Sequence, residues 1–200
     1  MLNAAIIAIR ATIVTLVLTG ILYPLMMTGL AQSLFPDRAN GSLIKDEHGQ
    51  IVGSSLIGQN FDQPAYFWPR PSAAGDKGYD PTSSGGSNLG ATSQKLRDRI
   101  TGDLARLTEA NPDAKGPVPI ELVTASASGL DPHLSPQAAS WQVSRIARAR
   151  GVASERVQQI VEAESEGRDL GVFGEKRVNV LLLNLALDRR FGRAEQHAAR

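Results

Sequence analysis

The sequence predicts a domain of α/β or α+β class carried behind a single N-terminal transmembrane helix, and three observations predict it. Residues Ala11 to Pro36 form an uncharged, strongly apolar run. From Ala39 to about Asn88 the chain is rich in Gly, Pro, Ser and Asn, interrupted by apolar pieces too short for helical periodicity. Beyond Asn88 the apolar residues recur at three- and four-residue spacing, which is the helical period. Strands first and helices later define the mixed classes, in which helices cover a sheet.

The run Ala11–Pro36 would span ~39 Å as a helix, enough to cross a bilayer. Gly29-Leu30-Ala31 has the small residues of a signal-peptide cleavage site, but the apolar stretch is longer than a signal core and only Arg10 precedes it. A retained anchor is therefore expected. The expected organisation is residues 1–36 as N-terminus and membrane helix, and 37–200 as one folded domain, a length suited to a single core. Arg10 is the only charged side chain before Asp37, so the positive-inside rule places the N-terminus in the cytoplasm and the domain outside, periplasmic or extracellular. Thr12, Thr15, Thr19 and Tyr23 fall on one face at spacings of three and four, a pattern suited to close packing against a partner helix. A threonine hydroxyl can instead bond its own preceding turn and face lipid. Pro24 removes one backbone donor and predicts a kink.

In the loop-rich part, Ser42–Ile44, Gln50–Val52, Ser55–Ile57 and Tyr66–Trp68 read as short strands. Leu89, Leu96, Ile100, Leu104 and Leu107 predict a helix capped by Asn88 and ended by Asn111-Pro112. Val118–Val123 is a strand candidate. Ser135-Pro136 is an N-cap followed by proline at the first helical position, and Gly151 is the stop. Within that helix Ala139, Val143, Ile146 and Ala147 should face inward, with Arg145, Arg148 and Arg150 towards solvent or a partner. A further helix runs from Ser154 to before Gly167 on the narrow face of Val157, Ile160 and Val161. Val178–Leu187 reads as a buried helix, with strand as the competing assignment.

Composition removes several functions. All but one of the 21 Lys and Arg lie together with the 20 Asp and Glu from Asp37 onward, so the domain lacks the basic excess of a nucleic-acid binder. With no Cys, thiolate metal sites, disulfides and thiol nucleophiles are excluded. The phosphate-cradling, nucleophile-elbow and H-E-x-x-H patterns are absent. No catalytic and no metal-ligating set is predicted. Ser128, Asp131 and His133 lie within six residues, which suggests a hydrolase only until one notes that Ser128-Gly129 and Asp131-Pro132 are turn pairs. Ser84, Gly85, Gly86, Ser87 and Asn88 form a glycine-rich loop before a helix, the one candidate for nucleotide contact. It lacks a lysine of its own. Lys77 and Lys95 are the nearest in sequence. Tyr66–Pro71, with an arginine between two prolines, suits either a protein interface or a core strand with its turn.

These segments together resemble a known family, the C chain of the bacterial Kdp-type potassium-transporting ATPase. The resemblance runs through Thr19-Gly20 and Tyr23-Pro24-Leu25, Asn40–Ile44, Gly53–Phe61, Tyr66-Phe67, Arg70–Ala73, Ser84–Leu89, Leu122–Asp131, Val178–Val180 and Leu183–Leu187. It implies a non-catalytic accessory chain of a four-chain pump in the bacterial inner membrane. Its partners would be a channel-like potassium-binding chain, a P-type ATPase chain and a small fourth chain. It also implies no tightly bound cofactor, with ATP held by the partner chain. A chaperone role raising that chain's ATP affinity is implied as well, with the Ser84–Asn88 loop likened to a nucleotide signature. The chain lacks the D-K-T-G-T segment on which P-type pumps are phosphorylated. The remaining alternative is an anchored or secreted hydrolase or ligand-binding domain.

Overall fold

The structure is a computed structural model that describes residues 1–46 and 48–194. It divides into two compact units, Met1–Val52 and Gly53–Arg200. The first is dominated by helix α1, Leu2–Leu34, apolar and exposed along almost its whole length. Its middle, Leu18–Leu22, is a π turn in which the Tyr23 N–H donates to the Leu18 carbonyl. The wide turn lies just before Pro24, which has no N–H to give, so the missing donor is absorbed by a local change of helix type. A single turn follows, α2 at Pro36–Ala39. Strands β1 (Leu43–Lys45) and β2 (Ile51–Ser54) form a two-stranded sheet. In their connection the Asp46 carboxylate accepts from the His48 and Gln50 N–H groups.

The second unit begins with long irregular segments and then becomes helical. Helix α3 spans Gln94–Ala110 and is capped by Ser93, whose hydroxyl accepts from the Leu96 N–H at 3.4 Å. Asn88 is not the cap. It sits before the helix at φ 50°, a left-handed conformation that Asn tolerates. Asn111 ends the helix by turning its side-chain amide back onto the Leu107 carbonyl. The expected strand at Val118–Val123 is a 3₁₀ turn at Ile120–Leu122, started by Pro119, whose fixed φ favours a turn entry.

Three further helices and a three-stranded sheet complete the unit. They are β3 (His133–Leu134), α4 (Pro136–Arg150), α5 (Ser154–Ala163), β4 (Ser165–Glu166), β5 (Arg177–Asn179) and α6 (Val180–Phe191). The sheet order is β3-β5-β4, both pairs antiparallel, with His133 opposite Asn179 and Ser165 opposite Val178. Antiparallel pairing is the α+β arrangement. Helix α4 starts on Ser135, whose hydroxyl accepts from the Ala138 N–H, and stops at Gly151 in the left-handed region at φ 64°. Val178–Leu187 holds both expected states, because Asn179 ends β5 and caps α6 by accepting from the Leu182 N–H. The core gathers Ile146, Ala138 and Ala139 of α4, Val157 and Val161 of α5, Leu183 and Leu187 of α6, and Leu107 of α3.

Phe67 and Trp68 are buried in this core, Phe67 fully inaccessible, and Tyr66 is half-buried beside them, but the segment is not a strand. The backbone groups of Phe67 and Trp68 are bonded by side chains. Asn184 accepts from the Phe67 N–H at 2.8 Å and donates to the Phe67 carbonyl at 3.1 Å. Gln142 does the same for Trp68, at 2.9 and 3.0 Å. A primary amide carries one acceptor and a pair of donors, so it can stand in for a neighbouring strand at one residue. Ser55–Ile57 is likewise a turn closed by a Ser54–Ile57 bridge.

The arginine face expected of α4 is divided. Arg148 is exposed and pairs with Asp113 at 2.6 Å. Arg145 is only 3% accessible. Its guanidinium donates to the Pro64 and Tyr66 carbonyls at 2.6 and 2.9 Å, to Asn111 Oδ1 at 3.1 Å and to Gln142 Oε1 at 2.6 Å, and lies 4.1 Å over the Trp68 ring. Burial, with the nearby Arg106 and Arg148 charges, pulls it down to about 9, which leaves it charged at neutral pH. Arg150 is also turned inward, donating to the Ala65 carbonyl at 2.8 Å and pairing with Asp188 at 2.8 Å. The reason for both departures is the irregular segment 63–68, whose carbonyls have no strand beside them and need buried donors.

Candidate functional site

Two regions hold the residues singled out by sequence. On α1, Thr12, Thr15, Thr19 and Tyr23 are all exposed in the first unit. The Thr19 hydroxyl donates to the Thr15 carbonyl at 2.8 Å, so that hydroxyl is already satisfied within the helix. The π turn Leu18–Leu22 contains Thr19 and ends just before Tyr23.

In the second unit the glycine-rich loop packs against the segment Ala127–Asp131. The Ser128 carbonyl accepts from both the Gly85 N–H at 2.8 Å and the Ser84 hydroxyl at 3.0 Å. A methyl group on Gly86 would stand 3.1 Å from the Ala127 carbonyl oxygen. Neither Gly85 nor Gly86 has positive φ, so these glycines serve close approach of two backbones rather than an unusual turn. Gly129, at φ 67°, is still more confined, since a Cβ there would lie 2.7 Å from both the Ala74 nitrogen and the Gly85 oxygen.

The same cluster draws in Gly58 and the segment Arg70–Asp80. The Gly58 N–H donates to the Leu130 carbonyl at 2.8 Å. Arg70 pairs with Asp131 at 2.7 Å. The Ser72 hydroxyl donates to the Gly129 carbonyl at 2.6 Å while accepting from the Ala74 and Tyr79 N–H groups. Burial pushes the Asp131 carboxyl up, but bonds from the His133 side chain and N–H and from Arg70 outweigh this and hold it below the usual carboxylate range. Tyr79 is raised, chiefly by burial and then by Asp131, and its hydroxyl donates to the Arg70 carbonyl at 2.7 Å.

Four stretches are thus brought together, the last more than forty residues beyond the others: Gly58, Arg70–Asp80, Ser84–Gly86 and Ala127–Asp131. Sequence reasoning found the stretches and missed their convergence. The signal present was the concentration of Gly and Ser in each, since only small residues let four backbones meet. Ser128, Asp131 and His133 act as turn fasteners here. The Ser128 hydroxyl accepts from the Leu130 N–H at 3.1 Å, and Asp131 accepts from the His133 N–H at 3.0 Å. Lys77 lines a groove of about 340 Å³ with Asp62, Asp76, Asp103, Arg70 and Arg106, none of Ser84–Asn88 among its walls. Lys95 is exposed on α3.

A helix long and apolar enough to span a membrane thus leads a mixed helix-and-sheet domain whose small-residue loops are spent on one another. The family model described as "K+-transporting ATPase, c chain" matches residues 5–189. The protein named potassium-transporting ATPase KdpC subunit from Myxococcus xanthus is 66% identical over 185 residues, covering 92% of this chain and 87% of that protein. Those so named from Koribacter versatilis and Rhodospirillum rubrum are 52% and 55% identical, covering 90% and 87% of this chain and 92% and 89% of theirs. The chain belongs to the KdpC family and is a subunit of a K+-transporting ATPase complex.

Proposed function

We propose that the chain is a non-catalytic accessory subunit of a potassium-uptake ATPase, held in the bacterial inner membrane by α1 with the N-terminus cytoplasmic and the domain from about Asp37 periplasmic. Its partners are a channel-like potassium-binding chain, a P-type ATPase chain that hydrolyses ATP and a small fourth chain. The subunit stabilises the assembly, and any effect on ATP affinity acts through the ATPase chain. The observation that carries this reading is α1 itself, 33 residues long, with Arg10 its only Asp, Glu, Lys or Arg and with apolar residues on every side. Such a helix needs lipid or partner helices around it. Replacing Thr12, Thr15 and Thr19 together with Leu keeps the helix apolar and fills the groove that close packing needs. The triple variant should lose co-purification with the other chains in mild detergent, and undiminished recovery would show that face to lie against lipid. Protease added to spheroplasts should remove the domain, and full protection would reverse the orientation.

For the glycine-rich loop the reading is structural. Its Gly85 N–H and Ser84 hydroxyl are committed to the Ser128 carbonyl, and Lys77 and Lys95 are elsewhere, so little remains to neutralise a triphosphate. The full chain, purified alone, should bind ATP no tighter than millimolar, corresponding to ~4 kcal/mol. Micromolar binding by calorimetry, abolished by Gly86→Val in a chain that still melts normally, would establish the loop as a nucleotide site instead.

A further inference from the structure

The connection between β4 and β5 projects three apolar side chains into solvent. Leu170 is 89% accessible, Val172 71% and Phe173 65%. The segment is built to hold them there. Asp169 and Phe173 exchange both backbone hydrogen bonds at 2.9 Å, closing a tight loop at whose tip Leu170 sits at φ 53° and Gly171 at φ 75°. Below the tip, Arg168 pairs with Glu175 at 2.8 Å, and Arg177 pairs with Asp169 at 3.2 Å and with Glu166 at 2.9 Å. A leucine in the left-handed region and almost fully exposed gains neither burial nor conformational ease among the described residues.

We infer that Leu170, Val172 and Phe173 form an anchor that docks the domain into an apolar recess on another chain of the same ATPase complex. The inference rests on the subunit reading proposed above and adds the contact surface. Area and charge select this occupant. The three side chains expose on the order of 400 Å², the size of the largest apolar patch on an ordinary monomer. A stable interface between free molecules needs about 800 Å² from each partner, so the tip alone cannot hold two copies of the chain together. A partner already held alongside by α1 in the same membrane needs less, because the second contact forms at the high effective concentration that tethering gives. A lipid surface is the poorer fit. Glu166 to Arg177 carries Glu166, Asp169 and Glu175 against Arg168, Lys176 and Arg177, so the collar has no net charge, where loops that enter anionic bilayers have a basic one.

The test compares the complex purified with the parent chain and with the Leu170→Asn/Phe173→Ser double variant. Asn accepts positive φ and the Asp169–Phe173 bonds are backbone bonds, so the free variant should melt at or above the parent temperature. Its recovery with the partner chains should fall about tenfold, the scale of an interface hot spot. Equal recovery overturns the inference while leaving the subunit reading intact. Failure of the parent chain itself to co-purify overturns both. Intact assembly with lost binding to phosphatidylglycerol vesicles overturns it in favour of lipid, and loss of a dimer of the free parent chain overturns it in favour of self-association. Should the double variant not fold, Val172→Asn, which leaves the loop bonds and Leu170 in place, carries the same comparison.

Discussion

Arg145→Met should lower the stability of the chain by about 4 kcal/mol, the largest loss expected from any single α4 substitution. Met has nearly the length and flexibility of the arginine stem, so packing is largely kept and the loss isolates the polar bonds. The Pro64 and Tyr66 carbonyls and Asn111 Oδ1 lose their donor in a place where water does not reach them easily. Each orphaned buried acceptor costs ~1–3 kcal/mol, and partial relaxation of the segment offsets some of the sum. Against a total of roughly 5–15 kcal/mol for a domain, this brings the variant close to unfolding at room temperature. Arg145→Lys should recover less than half, because one ammonium cannot reproduce a planar fork with bonds in several directions. Urea unfolding of the detergent-solubilised chain measures both. An unchanged midpoint for the Met variant would mean that these carbonyls find other donors and that the arginine is dispensable.

Gly129→Ala should cost about 3 kcal/mol or more and loosen the whole loop cluster. Alanine at φ 67° is disfavoured by ~1–2 kcal/mol, before any contact is considered. Its methyl group would stand 2.7 Å from the Ala74 nitrogen and the Gly85 oxygen, both backbone atoms that cannot swing aside as a side chain would. Overpacking of this kind adds ~1–3 kcal/mol. Gly86→Ala is the built-in comparison. Its single tight contact, 3.1 Å to the Ala127 oxygen, comes without positive φ and should cost ~1 kcal/mol. A thermal unfolding series in which Gly86→Ala is the more damaging of the two would contradict this account of the cluster.

The elements legible from the sequence are those whose signal is local. Ser135-Pro136 and Gly151 mark both ends of α4 because a cap, a preformed φ and a left-handed stop each act within one turn. The long apolar helix was legible from composition alone, while its π turn was not, since Pro24 states that a donor is missing without stating how the backbone compensates. Tyr66–Trp68 misled as a strand because strand propensity measures fitness for a half-buried pleated surface, and here that surface is supplied by Gln142 and Asn184 on two helices. Arg145 misled for a related reason. Helical spacing put it off the main apolar face, and nothing local revealed that unpaired carbonyls from segment 63–66 would meet it. For the candidate site, the glycine-rich loop was visible as a motif, whereas its contact with Ser128 and Gly129 depends on a pairing more than forty residues distant.

The side-chain clasp on Phe67 and Trp68 also bears on when the domain can become folded. The bonds that replace a strand partner span 74 residues to Gln142 and 117 to Asn184. As the chain is delivered from its N-terminal end, the aromatic segment arrives long before either amide, and its backbone groups stay open to water until α6 follows. Loop closure over such separations must be completed before its reward is collected, which favours a late, concerted step over gradual growth from the N-terminal side. The last helix, far from being an appendage, is the latch whose arrival lets the earlier half of the domain acquire its shape.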